Sequence, residues 1–494
     1  MAPSPPVGPM VVLAAVALAA CTAGSEPGDS GCGPGDLAIT VTPTAQPQVL
    51  GLALALADGR PFTGVVDYRD ANDAPRAIPL APAAPEHALW LRLLPPDAAV
   101  DVAVRAILED GHSCEGTVRV ETGSLALDGV ADSTVQVSDA AALAQLGSAF
   151  FLQVLRPADT WLVLRDLQGR LVWGAQVDVS LIAGNLARSA VVSRDGEHLW
   201  VLLESGTPAD PGLALVLDWT GELVDTVAIE GGGHHQLGVG EEGELYGLGY
   251  AAGWHGVETT STPTGDAAVY GDTLVRLAGD HGAEEVIWTA EEDLPTAFTS
   301  QVGLGLGHVS PSYANGLGCT PRCGVSLSGE FPGFALEDAS GGFHAFYSPP
   351  GEPIGQFGSS PHDLVRIGDE LVAVYDRRIE GCSGFELWRW GGGSGAPDSL
   401  GRFVQSEDAQ CGVSIVNGGN ALLDHGDGSD PSEFTQALFH TEWPHLVELV
   451  QVSCPSDDDG CDAALILRLA TSDEGVPQDP GFGELYSAAW LSGG

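Results

Sequence analysis

One short unit returns six times after about residue 123, and it limits the fold more than any other feature. The unit is an apolar strand, an Asp/Gly-rich turn and a second apolar strand, often closed by Trp or Phe. The copies are TWLVLRDLQGRLVW (160–173), LALVLDWTGELVDTVAI (213–229), TLVRLAGDHGAEEVIW (273–288), GFHAFYSPPGEPIGQF (342–357), GFELWRWGGGSGAPDSLGRF (384–403) and HLVELVQVSCPSDDDGCDAALILRL (445–469). Asp and Gly accept the tight-turn backbone of a hairpin, and the β-branched and aromatic flanks suit a half-buried sheet. A second hairpin accompanies most copies, at 187–205, 234–250, 361–376 and 411–426. Two hairpins make a four-stranded sheet, and a series of such sheets predicts a six-bladed β-propeller over residues 123–494. Helical periodicity is nearly absent, AALAQLG (141–147) being the best short candidate. Irregular spacing, with insertions at 253–271, 291–323 and 427–444, argues against a stacked solenoid.

Ahead of the repeats, residues 37–122 read as six short strands: LAITVTP, LGLALALAD, TGVVDYRD, ALWLRLLP, VDVAVRAILEDG and EGTVRVETG. Turn residues divide them at even spacing, which predicts an antiparallel β-sandwich resembling immunoglobulin or fibronectin type III modules. The fold class expected is therefore all-β. Residues 22–36, TAGSEPGDSGCGPGD, have the composition of a flexible tether.

The apolar run VVLAAVALAA (11–20) is too short to span a bilayer and ends in small residues before Cys21. Leu18-Ala19-Ala20-Cys21 resembles the bacterial lipobox, which implies a lipoprotein signal peptide over 1–20 and lipidation of Cys21. The segment before the run carries no Lys or Arg, and an ordinary secretory signal cut nearby is the other reading. Both export the chain, and the lipobox reading places it at the bacterial cell envelope. Eight further cysteines, 32, 114, 319, 323, 382, 411, 454 and 461, are an even number suited to disulfides. The pairs 319/323 and 454/461 read as loop staples. The other pairings stay open, 382 with 411 and 32 with 114 among them.

Acidic residues number 67 against 19 basic ones, and the basic residues are all arginine. A net charge of −48 repels phosphate backbones and anionic lipid heads, so no nucleic-acid partner is expected and membrane contact rests on the lipid anchor alone. Hydrophobic residues make up 44 % and charged ones 17 %, which is the composition of a folded chain. The runs Asp457-Asp458-Asp459 and Asp424, Asp427, Asp430 lack full calcium-loop spacing and read as solvated turns. No zinc spacing and no nucleophile elbow occurs, and no metal or cofactor is expected.

In a propeller the first strand of each blade lines the axis, so the starts of the second hairpins should ring one mouth. These positions read Ser189-Ala190, His234-His235-Gln236, Tyr313-Ala314-Asn315, Pro361-His362-Asp363 and Gln410-Cys411-Gly412. Polar and titratable groups meeting at one concave place are the default signature of a site.

This layout resembles the bacterial arylsulfotransferases, exported propellers preceded by a small β domain, and the likeness runs over most of the mature chain. It rests on stretches such as GDTLVRLAGDHGAEEVIW and PHDLVRIGDELVAVYD. Those enzymes pass sulfate between phenols through a sulfated histidine in the funnel. The resemblance implies His362 as nucleophile, with His234 and His235 supporting it and Asp363 beside it. Imidazole attacks and leaves well near neutral pH, and an arginine fork holds the developing oxyanion. The family's His-Ala-Asn stretch falls on Tyr313-Ala314-Asn315, with tyrosine in place of histidine; His308 is the nearest substitute. The family's arginine falls near Ser328-Gly329-Glu330, where no cation stands, and Arg322 is the nearest one in sequence. Two functions follow as expectations: a divergent or non-catalytic binding propeller for small aryl sulfates or phenols, or an active aryl sulfate sulfotransferase.

Overall fold

The computed structural model describes residues 36–471 with interruptions, the largest at 278–284, 298–307, 349–360, 405–417, 424–432 and 454–461. The expected signal, Cys21, the tether and most of both acidic runs lie outside the described residues. The chain forms two compact units, one ending at Leu125 and one beginning at Ala126.

The first unit has seven strands: β1 (Leu37–Pro43), β2 (Leu50–Leu56), β3 (Phe62–Arg69), β4 (Pro75–Ala84), β5 (Glu86–Leu91), β6 (Ala99–Leu108) and β7 (Ser113–Glu121). They form two antiparallel sheets, ordered β1-β2-β5 and β4-β3-β6-β7. Burial alternates residue by residue along β6 and β7. Their inward faces join Leu52, Leu54 and Leu91 of the other sheet in one core with Phe62, Val66 and Val104. Each such side chain contributes about 1.5–3 kcal/mol when fully buried. The six strands expected from sequence become seven, because β4 carries Pro75, Pro79 and Pro82 and does not read as a strand. It is tolerated because β4 is an edge and pairs with β3 alone, so one side of its backbone needs no ladder donors.

The second unit is a succession of antiparallel sheets. After β8 (Ser133–Val137) and the short helix α1 (Ala140–Gln145) comes a three-stranded sheet of β9 (Phe151–Leu155), β10 (Trp161–Arg165) and β11 (Leu171–Gln176). The next holds β12 (Leu186–Val192), β13 (Leu199–Glu204), β14 (Gly212–Leu217) and β15 (Leu223–Ile229). The third contains β16 (His234–Val239), β17 (Leu245–Ala252), β18 (Thr259–Thr262), the long β19 (Gly265–Leu277), β20 (Glu285–Thr289) and β21 (His308–Val309). The fourth is β22 (Ala314–Gly318), β23 (Gly324–Leu327), β24 (Gly333–Glu337) and β25 (Phe343–Tyr347). The fifth is β26 (Pro361–Ile367), β27 (Leu371–Ile379), β28 (Cys382–Arg389) and β29 (Asp398–Val404). The last is β30 (Gly418–Leu423), β31 (Glu433–His440), β32 (Leu446–Ser453) and β33 (Asp462–Thr471), with β8 added beside β33.

The first strands β9, β12, β16, β22, β26 and β30 each pack on the next. Apolar layers fill the space between sheets, Leu202, Val227 and Ile229 meeting Leu237, Val275 and Leu277 in one of them. Trp173 donates its indole N–H to Trp219 O at 2.8 Å, tying its sheet to the next one, and Trp219 donates to Gly196 O at 2.7 Å, joining two turns of its own sheet. The Asp-x-x-Gly turn recurs for a physical reason. Asp166, Asp218 and Asp338 each accept two backbone N–H groups on Oδ1, from residues two and four further on. That closes the turn without a partner strand.

Two expected hairpins shift. The outer hairpin of the fourth sheet is β24–β25 across the Asp338 turn, and β25 is its second strand. It does not lie over 342–357, where the prolines after Tyr347 were read as a turn. In the last sheet β30 pairs with β31. The NGGN at 417–420 therefore leads into a strand, and the expected insertion at 427–444 contains one. Within the expected insertion at 291–323, β22 turns into β23 through the disulfide Cys319–Cys323. Cys114 is disulfide-bonded as well, and its expected partner Cys32 lies outside the described residues.

Close approach of the first strands sets a testable limit. A Cβ on Gly318 would meet the Leu364 carbonyl oxygen of the neighbouring sheet at 2.7 Å, whereas one on Gly391 would meet nothing within 4 Å. Gly318→Ala is expected to cost about 1–3 kcal/mol and to lower the thermal midpoint, with Gly391→Ala near neutral by the same calorimetric measurement.

Candidate functional site

Gly231 and Gly232 turn the chain into β16 with φ of 71° and 80°. Tyr250 donates its N–H to Gly231 O at 2.6 Å, and a Cβ at Gly231 would sit 2.1 Å from Tyr250 O. Only glycine permits this contact, which brings Tyr250 beside the histidine pair. The pairing of β16 with β17 then jumps from His234↔Leu248 to Leu237↔Gly247, leaving His235 and Gln236 in a bulge. His235 takes φ of 56°, a left-handed conformation uncommon for a side-chain-bearing residue.

The same irregularity recurs on three other first strands. Pairing jumps over Arg188 in β12, over Asn315 in β22 and over His362 in β26. Each bulge lies near the start of its strand, and these strands pack side by side, so the bulges fall at one end of the series. Bulges commonly re-aim side chains next to functional sites.

The histidine pair is the centre of a buried polar network. His234 is fully buried and stacks on Tyr250 with ring centroids 3.9 Å apart. Its Nδ1 lies 2.8 Å from His235 Nδ1, while its Nε2 lies 3.3 Å from Gly249 O and 3.2 Å from Asp272 Oδ1. Asp272, also buried, accepts on Oδ2 from the hydroxyls of Ser310 (2.8 Å) and Ser312. Ser310 Oγ in turn accepts from Tyr313 N at 3.0 Å. Tyr313, at φ of 43°, stands edge-on to His235 at 5.4 Å. Arg188 donates to Glu204 from the preceding sheet. Asn315 donates to Ser328, and its Oδ1 is buried with no hydrogen-bond partner. Burial first, then the negative charge of Asp272 and Glu204 and the nearby Tyr313, holds the Tyr250 phenol well above its usual pKa, against a smaller pull from Arg188.

Of the residues read from sequence, His234, His235 and Tyr313 come together here, and Asn315 is bulged two residues after Tyr313. Backbone alone places three others: His308 pairs with Ala268, His362 is bulged, and Asp363 faces Tyr375 on β27. Their side chains lie outside the described ones. Arg322 does not join the site. It sits in the disulfide loop at the far end of β22, with Nη1 2.8 Å from Asp369 Oδ1. There it helps burial pull the buried Arg366 down to about 10. The expectation of Arg322 as a sulfate support is corrected on this ground. Sequence reading missed Arg188, Glu204, Tyr250, Asp272, Ser310 and Ser312. Arg188 stands one residue before the Ser189-Ala190 position, so the alignment of strand starts carried a signal for it. Among the described residues no group of three or more His, Cys, Asp or Glu side chains could hold a metal ion.

No protein-family model and no curated protein matches the chain. Among solved structures, it is similar to the periplasmic gluconolactonase PpgL of Pseudomonas aeruginosa, at 11 % identity over 69 % of this chain and 94 % of that one, with a TM-score of 0.39. The cobalt-substituted ACO of Synechocystis matches at 10 % identity over 91 % and 97 %, with a TM-score of 0.33. A DUF4623 family protein from Bacteroides eggerthii matches at 9 % identity over 88 % and 94 %, with a TM-score of 0.32. With identities and scores this low, none of these proteins lends its chemistry to this chain.

Removing the Asp272 carboxylate strands two serine hydroxyls in a buried place. Asp272→Ala should therefore lose about 1–3 kcal/mol or more, read by denaturant unfolding. The raised Tyr250 pKa means the folded chain holds that proton more tightly than the unfolded one. The resulting stability is complete below the unfolded value of about 10 and is lost as pH rises through the folded value. Tyr250→Phe is expected to flatten the alkaline fall in unfolding midpoint.

Proposed function

We propose that the chain is an exported, lipid-anchored protein of the bacterial cell envelope. In this reading an immunoglobulin- or fibronectin-like sandwich precedes a six-bladed propeller, which binds a small phenol or aryl sulfate at its mouth. The observation that carries the reading is the row of bulged first-strand residues, Arg188, His235 and Asn315, gathered with the buried Asp272. Packed cores do not ordinarily bury so many polar groups, and a buried acceptor such as Asn315 Oδ1 suits a ligand donor. The likeness to arylsulfotransferases supports the architecture and the choice of ligand, while Tyr313 in place of a histidine supports altered chemistry. Arg188 supplies a guanidinium on a neighbouring sheet, though its Nε already serves Glu204.

A second reading, sulfate transfer through His362, draws support from one fact: His362 is bulged at the same strand position as His235.

Calorimetry with 4-nitrophenol and 4-nitrophenyl sulfate separates the two. Binding without turnover predicts saturable heat for at least one probe, weakened about tenfold or more by Arg188→Ala (about 1.4 kcal/mol). It also predicts no 4-nitrophenolate release when phenol is added to the sulfate ester. Absence of binding by both probes overturns the proposal, and release that disappears in His362→Ala establishes the second reading instead.

A further inference from the structure

At the end opposite the strand starts, the fourth and fifth sheets meet around one buried arginine. Arg366 of β26 is 2 % exposed. Its Nη1 donates to two carbonyls of the fourth sheet, Cys323 O at 3.4 Å and Glu337 O at 3.2 Å. Nη2 donates to Asp369 O at 3.1 Å, and Nε has no hydrogen-bond partner. None of these bonds goes to a carboxylate. A cation buried on backbone carbonyls alone is costly unless those carbonyls are fixed in place.

Cys323 is fixed from three sides. Its N–H donates to Glu337 Oε2 at 2.9 Å, and its carbonyl accepts from Glu337 N at 3.0 Å as well as from Arg366. Its sulfur is bonded to that of Cys319, just beyond the end of β22, and both residues are buried. Between the two cysteines stands Arg322, with Nη1 2.8 Å from Asp369 Oδ1. Asp369 thus receives Arg366 on its carbonyl and Arg322 on its carboxylate. The loop sits tightly on β26, since a Cβ on Gly324 would lie 2.6 Å from Leu364 Cδ2.

From this arrangement we infer that the Cys319–Cys323 bond is a redox-sensitive clasp that completes the joint between the fourth and fifth sheets. Closed, it holds Cys323 O against Arg366 and Arg322 beside Asp369. A dithiol opens it by exchange. One thiolate of the dithiol attacks a sulfur, the S–S bond of the chain breaks, and the second thiol of the reagent closes a new disulfide. The reagent gives up two electrons and two protons, and Cys319 and Cys323 take them up as two S–H groups. The opened loop no longer fixes the Cys323 carbonyl, so a buried guanidinium loses an acceptor and the joint opens locally while the other sheets keep their ladders. The strands held side by side at this joint, β22 and β26, are those bulged at Asn315 and His362.

The test is amide hydrogen exchange on the full chain, read by mass spectrometry with and without dithiothreitol. Alkylation mapping reports whether Cys319 and Cys323 have been reduced. Peptides covering β23 and β26 should exchange about tenfold faster in the reduced protein, with β13 of the second sheet unchanged as the reference. Reoxidation should restore slow exchange. The double variant Cys319→Ser, Cys323→Ser should exchange fast at the joint in both conditions, which assigns the effect to this pair among the chain's cysteines. Unchanged exchange at β23 and β26 after reduction overturns the inference. So do equal acceleration at β13, a pair that dithiothreitol leaves intact, and a folded double variant that stays slow. If the double variant fails to fold, the reduced and reoxidised protein decides alone.

Discussion

Everything in the second unit depends on burying the free edge of each sheet's first strand. A strand that begins a sheet has one row of backbone N–H and C=O groups with no partner in that sheet, and burial makes each orphan costly. Side chains of the neighbouring strands supply partners across the gap. Ser189 Oγ accepts from Leu237 N at 3.2 Å, and Gln236 Oε1 accepts from Leu317 N. Gly238 and Gly318 keep the gap small enough for such bonds to reach. Polar residues along these strands are therefore required by the fold before they are of any use to a ligand.

The same constraint explains where the candidate site lies. A bulge near the start of a first strand interrupts the ladder and turns a side chain out of the regular pleat. Four neighbouring strands each interrupt the ladder there, at Arg188, His235–Gln236, Asn315 and His362. Gln236 uses its place to bind the next sheet. Asn315 spends its amide on Ser328, and the histidine pair is instead tied inward to Asp272. One set of positions thus divides between joining sheets and building a site.

Local chemistry made much of this legible. Evenly spaced turn residues marked the strands of the first unit, Asp/Gly-rich turns marked the outer hairpins, and the hairpin at 234–250 marked the start of β16. Strands defined only by their neighbours were not legible. β4 is strand-like because β3 pairs with it, despite three prolines. In the fourth sheet, two turns compete after Gly333, and the prolines beyond Tyr347 gave the louder signal than Asp338. The site divides in the same way. His234, His235, Tyr313 and Asn315 stand at strand starts and could be aligned by position. Asp272 lies within β19, in and beyond a segment read as insertion, and reaches His234 through space alone. Ser310 and Ser312 matter only because Asp272 is there. Arg322 was proposed by nearness in sequence, and the direction of β22 carries it to the opposite end.

Charge narrows what can use such a site. With a net charge of −48, the field around the chain opposes an anion on approach, screened over about 8 Å at physiological salt. Arginine is the sole basic side chain type, and the most deeply buried arginines are already engaged. Arg165 serves Gln153 and Gly169, and Arg366 serves the carbonyls of Cys323, Glu337 and Asp369. Arg188, already paired to Glu204, offsets only part of the opposing field. A ligand that arrives neutral avoids it entirely. Between the two proposed ligand classes, that reasoning favours the phenol over its sulfate ester.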